Sequence, residues 1–182
     1  RSQKKVTILL LITTVMWAVG LPLWINNVNA ASVSNFSDTL SDSAPSVVSN
    51  HMIGFTMSST GALAAGESLT ITFAAGFDLD TLDAVDIDMR INGTDQNINT
   101  AAAPGVWGVA TSGQAITISS NNTTIASDDV VKIYIGTNAS STLGTGPGAT
   151  QIVNSGLGSK TVDLVVGTAS QDTGQTRVAI ID

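Results

Sequence analysis

Over most of this chain, apolar residues recur at every second position in short runs. Ile53, Phe55 and Met57 alternate with Gly54 and Thr56, and Leu69, Ile71 and Phe73 alternate with Thr70 and Thr72. A strand sends successive side chains to opposite faces, so this period is that of half-buried β-strands. The same pattern covers Val85, Ile87 and Met89, then Val106 to Ala110, and Ala115 to Ser119 around Ile116 and Ile118. It returns in Val130 to Ile135, with Val131, Ile133 and Ile135 inward, in Val162, Leu164 and Val166, and in Val178, Ile180 and Ile181. Turn signals separate the runs: Gly61 to Gly66, Gly76, and Gly144-Thr145-Gly146-Pro147-Gly148. Asn92-Gly93 is the dipeptide that closes a tight hairpin by supplying positive φ.

About eight strands at this spacing predict a mainly β fold, an immunoglobulin-like or jelly-roll-like β-sandwich. No amphipathic helical pattern follows residue 31. Only 12% of residues are charged, which suits strands and turns better than helices. The net charge of -7 and the seven basic residues, three of them Arg1, Lys4 and Lys5, exclude a nucleic-acid partner, because neutralising a phosphate backbone takes clustered Lys and Arg. Cysteine is absent, so there is no disulfide framework, thiolate nucleophile or Cys-ligated metal.

The first 30 residues differ from the rest. The cationic Arg1-Ser2-Gln3-Lys4-Lys5 leads into an uncharged apolar stretch from Val6 to Val19, and Gly20 and Pro22 then break the helix that such a stretch predicts. The expected organisation is a hydrophobic N-terminal helix over 1–30, a linker or edge strand over 31–45, and a β-sandwich domain over 46–182. Two readings of the first segment compete. A secretory signal peptide accounts for the basic and apolar regions and for the small-residue site Val28-Asn29-Ala30 before Ala31. A retained helix accounts for them equally, and it has to be hidden in lipid or by copies of itself. In that reading Ile8, Leu9, Leu10, Leu11, Ile12, Val15, Met16, Trp17, Val19, Pro22 and Trp24 form the assembly surface, and Lys4 and Lys5 require carboxylates or solvent.

An apolar N-terminal helix, the breaker Pro22 and a β domain beyond it resemble the layout of type IV pilin-like filament subunits. Arg1 and Lys5 stand where bacterial members carry an apolar or aromatic first residue and an acidic fifth. The stretch Ala31 to Leu40, with Ser49 to Thr56 and Leu69 to Phe73, resembles secreted β-sandwich surface proteins of uncultivated small-genome bacteria. That likeness implies export and a surface role, with no activity to transfer to named residues.

Candidate chemistry is sparse. Asp78, Asp80, Asp83, Asp86 and Asp88 crowd eleven residues, and Asp78, Asp80 and Asp83 are Ca²⁺ candidates because that cation takes six to eight oxygens. The competing reading is an acidic loop followed by an outward strand face, since Asp86 and Asp88 alternate with Val85 and Ile87. Asp172-Thr173-Gly174 spells an aspartic-protease tripeptide, but a second copy is missing, so a hairpin turn is the default. His51, the single histidine, shares the inward parity of Ile53 and Phe55 and reads as a satisfied structural residue. Trp107 reads as core. Asn35, Asn92, Asn121, Asn122 and Asn138 begin Asn-x-Ser/Thr sequons and are candidate glycan acceptors on an exported chain.

The expected function is therefore structural and non-enzymatic, without cofactor: an extracellular or cell-surface filament subunit whose partner is itself, after a membrane stage before assembly. The alternative is a secreted or cell-anchored adhesin or surface-layer module with residues 1–30 removed.

Overall fold

The computed structural model describes residues 33–140, 147–168 and 172–182. The segment expected to form the N-terminal helix, and with it the expected assembly residues from Ile8 to Trp24, lies outside them. Among the described residues no helix is long and apolar enough to cross a membrane.

The chain is mainly β, with 52% strand. One face-to-face layer holds β1 (Ser34–Leu40), β3 (His51–Thr56), β5 (Ile87–Ile91), β6 (Thr94–Asp95) and β10 (Val130–Ile135), in the order β1-β3-β10-β5-β6. The other holds β4 (Ser68–Phe73), β7 (Ile98–Asn99), β8 (Trp107–Ser112), β9 (Ala115–Ser119), β12 (Gly158–Val166) and β13 (Asp172–Ile180), in the order β13-β12-β4-β9-β8-β7. A two-stranded ribbon of β2 (Val48–Ser49) and β11 (Ile152–Val153) lies apart from both. Every ladder is antiparallel except β7 with β8.

The period-2 residues build the core as their parity requires. Ile53, Phe55, Val131, Ile133, Ile135, Ile87 and Met89 point in from one sheet, and Leu69, Ile71, Phe73, Ile116, Ile118, Val162, Leu164 and Val166 from the other; all are buried. Trp107 is fully buried, and its indole N–H donates to Gln96 Oε1 at 3.4 Å. Burying each such large side chain is worth about 1.5–3 kcal/mol, so the facing parity sets supply the main driving force. Asn92 and Gly93, at φ 51° and 80°, close the β5–β6 hairpin, with Ile91 opposite Thr94. The loop from Met57 to Glu67 crosses from one sheet to the other, because β3 and β4 belong to different layers.

The Ser- and Asp-rich stretch after residue 33 forms β1, an edge strand with a bulge between Ser34 and Ser37. It also closes one side of the sandwich. Val33 N–H donates to Thr173 O at 3.1 Å, and a Cβ on Gly174 would run into Val33 and Phe36. β1 therefore starts beside the start of β13, and Ser43 O accepts from Ile181 N–H beside its end. We call these the entry end and the exit end.

Three local expectations are corrected. Asp86 and Asp88 are not on a solvated strand face; both are about 1% exposed. Asp86 belongs to a 3-10 turn, Ala84–Asp86, where it completes a capping box with Asp83, and its Oδ1 accepts from Ala149 and Thr150 N–H at 2.7 and 2.8 Å. Asp172-Thr173-Gly174 is not a turn but the beginning of β13, with Asp172 buried and accepting from Ser58 Oγ at 3.1 Å. Gly61 has no side chain because a Cβ there would overlap that carboxylate. Ile181 does not continue the inward set; it is 56% exposed.

Asp86 ties the 147–150 segment to the turn before β5, so Asp86→Ala leaves three backbone N–H groups in search of a partner. Its expected cost is about 2–4 kcal/mol, read as a lowered midpoint in urea; a change within 0.5 kcal/mol would show the carboxylate to be dispensable.

Candidate functional site

Two surface features and one buried pair stand out. The first is apolar. Val47, Val48, Leu157 and Ile181 are 37%, 51%, 56% and 56% exposed. They gather at the exit end: Asn154 N–H donates to Val47 O at 2.9 Å, Val48 pairs with Val153, and Leu157 and Ile181 adjoin Gly158 and Ile180, the pair that ends the β12–β13 ladder. Asn154 locks the loop that leads into Val47 and Val48, with Nδ2 donating to Asp42 O and Ala44 O, both at 2.9 Å. Of the exposed large apolar residues among those described, only Val130 lies elsewhere.

The second is charged and lies on the outer face of the five-stranded sheet. Register places Lys132 directly opposite both Gly54 and Arg90, and Arg90 opposite Asp95, while Tyr134 faces Met52 and Asp88. Arg90 lies over the Tyr134 ring at 5.2 Å and turns its Nε towards Asp95 Oδ1 at 3.5 Å and Asp88 Oδ2 at 3.8 Å. The Asp88 side chain is 1% exposed and that of Asp95 17%. Burial first, and then the charge of Asp95 and a side-chain hydrogen bond with it, push the Asp88 carboxyl up to about 6, with Arg90 opposing in part. The charged form of Asp88 is disfavoured because its carboxylate is withdrawn from water beside a second carboxylate.

The buried pair is His51 with Asp38. Nδ1 lies 2.8 Å from Asp38 Oδ2, both side chains have no exposure, and the imidazole meets Phe73 and Phe77 edge-on at 5.3 and 5.8 Å. The structural reading of His51 holds for Nδ1, whereas Nε2 and Asp38 Oδ1 have no hydrogen-bond partner among the described residues. No substrate reaches this imidazole. The sequence carried one sign of its partner: Phe36, Asp38 and Leu40 alternate, so Asp38 sits on the inward side of an apolar set.

Asp78, Asp80 and Asp83 are exposed, and among the described residues no three acidic or histidine side chains converge as a metal group. Asp78 Oδ1 accepts from Asp80 N–H at 3.0 Å, and Asp83 Oδ1 from Ala84 N–H at 2.6 Å, so these carboxylates shape their own loop. Of the sequon residues, Asn35, Asn92, Asn121 and Asn122 are exposed and Asn138 is half-buried. Asn92 Nδ2 donates to Asp129 Oδ1 at 2.7 Å, Asn122 Oδ1 accepts from Gly105 N–H, Asn35 Nδ2 donates to Thr56 Oγ1, and Asn138 Nδ2 to His51 O.

No family model and no curated protein sequence matches the chain. Among solved structures it is similar to BslA, described as a bacterial hydrophobin, at 12% identity and TM-score 0.42, covering 79% of this chain and 94% of that one. It is also similar to the group B streptococcus pilus 2b backbone protein, at 12% identity and TM-score 0.43, over 80% of this chain and 56% of that one. A third similarity is to BcpA, the major pilin subunit of Bacillus cereus, at 11% identity and TM-score 0.37, over 79% of this chain and 38% of that one. The chain thus spans little more than half of one pilin and well under half of the other, and likenesses this distant carry no argument about partners or activity.

Proposed function

We propose that the chain is a structural subunit of an extracellular, pilin-like filament, non-catalytic and without cofactor, which polymerises by burying its apolar N-terminal stretch against copies of itself. The observation that carries this reading is polarity along the sandwich. The chain enters the β domain at Val33 on one end, while the exposed cluster of Val47, Val48, Leu157 and Ile181 occupies the other. The apolar stretch of one copy and the apolar end of the next are thereby offered head to tail, a heterologous contact that generates open polymers. The sealed His51–Asp38 pair, out of reach of any substrate, supports the non-catalytic part of the reading.

Electron microscopy of native material, with N-terminal sequencing, is the direct test. Filaments whose subunits retain Ile8 to Val19 are expected. Val48→Asp with Leu157→Asp is expected to leave the melting temperature unchanged and weaken self-association at least about tenfold, since each contact residue stops burying about 1.5–3 kcal/mol of apolar side chain. Dispersed chains beginning at Ala31 would end the filament reading. They would favour the second reading, a secreted or cell-anchored module, which rests on the small-residue pattern Val28-Asn29-Ala30 before Ala31.

A further inference from the structure

The outer face of the five-stranded sheet holds what the filament reading does not use. Arg90, Lys132, Lys160 and Arg177 are the basic residues of the described chain, and two of these four lie side by side on this face. Like charges directly opposite one another in a ladder are destabilising by about 0.2–1 kcal/mol unless an anion or a counter-charge answers them. Asp95 and Asp88 answer Arg90; among the described residues no carboxylate makes an ion pair with Lys132. Lys132 is exposed and the Arg90 side chain is 39% exposed, so both cations remain available.

The surface around them is a trough. One depression of about 520 Å³ is lined by Arg90, Asn92, Gly93, Val130, Lys132 and Tyr134. A second, of about 330 Å³, shares Val130 and Lys132 with it and continues over Gly54 to Ser37 and Asn35. Gly54 stands directly between Lys132 and Ser37 in register, and its missing side chain leaves the floor low there. From β5 to β1 the trough crosses three strand spacings, about 14 Å. Its walls carry the hydroxyls of Ser37 and Thr56, the amides of Asn35 and Asn92, two cations and Tyr134, interleaved with Met52 and Val130.

We propose that this trough binds an acidic polysaccharide, with a carboxylate or sulfate of the sugar held between Lys132 and Arg90 and the adjoining rings lying across Gly54 towards Ser37. A long-range obstacle is the net charge of -7, but at physiological salt the Debye length is about 8 Å, so charges elsewhere on the chain are largely screened while cations in contact are not. In the extension the hydroxyls of Ser37 and Thr56 and the amide of Asn35 lie beside the apolar Met52 and Val130, a mixture of hydrogen-bonding and apolar contacts that suits a sugar ring better than an isolated anion. This inference is independent of whether the chain forms filaments.

The test is calorimetric titration of the full chain, as purified, with oligogalacturonate, with dextran sulfate and with neutral dextran at physiological salt. Saturable binding of the acidic glycans is expected, falling as salt is raised, with none for neutral dextran. Lys132→Gln removes one charge-assisted contact and is expected to weaken binding about tenfold, the size of a hydrogen bond to a charged group. Arg90→Gln is the less decisive variant because it also strands Asp88 and Asp95. Lys160→Gln with Arg177→Gln removes two charges from β12 and β13 and is expected to leave binding within about twofold. Absent binding, an equal loss in the Lys160 and Arg177 variant, or a Lys132→Gln effect on self-association alone would each overturn the proposal; the last would assign the face to a contact between copies.

Discussion

His51→Phe lowers the stability of the domain by about 3–5 kcal/mol, because it strands the Asp38 carboxylate inside the sandwich without its donor. Asp38→Leu costs less, about 1–3 kcal/mol, since it leaves an unpaired imidazole N–H instead of an uncompensated charge. The pair Asp38→Leu with His51→Phe recovers most of both losses. The site already offers Phe73 and Phe77 as edge-on neighbours, so a third aromatic ring fits chemically, and replacing a buried polar pair by apolar groups of similar volume is often neutral. The check is a double-mutant cycle by urea denaturation of the full chain followed by circular dichroism, with a coupling of at least about 2 kcal/mol expected. Additive single effects would mean that the 2.8 Å contact carries no stability of its own.

Asp88→Asn raises stability at neutral pH and abolishes a pH dependence that the unmodified chain shows between about pH 4 and 6. The folded-state carboxyl titrates near 6 against 3.8 for the free group. A raised pKa means that the folded state binds the proton more tightly. The stability this contributes is fully present below pH 3.8 and is lost as pH rises through 6. The whole shift corresponds to about 3 kcal/mol at most. Asparagine is neutral at every pH and has nearly the same shape, so the variant removes the buried charge beside Asp95 without opening a cavity. Denaturation midpoints at pH 4, 5, 6 and 7.5 decide it. A flat profile for the unmodified chain, or an unchanged slope in Asp88→Asn, would refute the assignment of this pH dependence to Asp88.

Legibility in the sequence followed the burial pattern. Val130 to Ile135 and Ala115 to Ser119 were readable to the residue, since one apolar face per strand leaves no second register that buries the same side chains. The Asn92-Gly93 hairpin was equally readable because few other residues tolerate two consecutive positive φ angles. Asp86, Asp88 and Asp172 were not. A carboxylate at a polar position looks the same in sequence whether water or a neighbouring strand covers it. Around Asp88 stand Arg90 of its own strand, Asp95 across the hairpin and Tyr134 of the neighbouring strand, and what holds Asp172 is Ser58, 114 positions away. The apolar exit end was hidden for a related reason: Val47, Val48, Leu157 and Ile181 come from three separate segments, and only pairing between those segments brings them to one end.

By itself the sequence determined that this chain is a disulfide-free, mainly β domain with an apolar stretch ahead of it, because strand period, turn chemistry and composition are local properties. Only the tertiary structure decided which strands share a sheet, that β1 closes the sandwich against Gly174, and which polar groups meet. Those are matters of pairing between distant segments, and many pairings satisfy the same alternation until backbone hydrogen bonds and side-chain volumes are counted together.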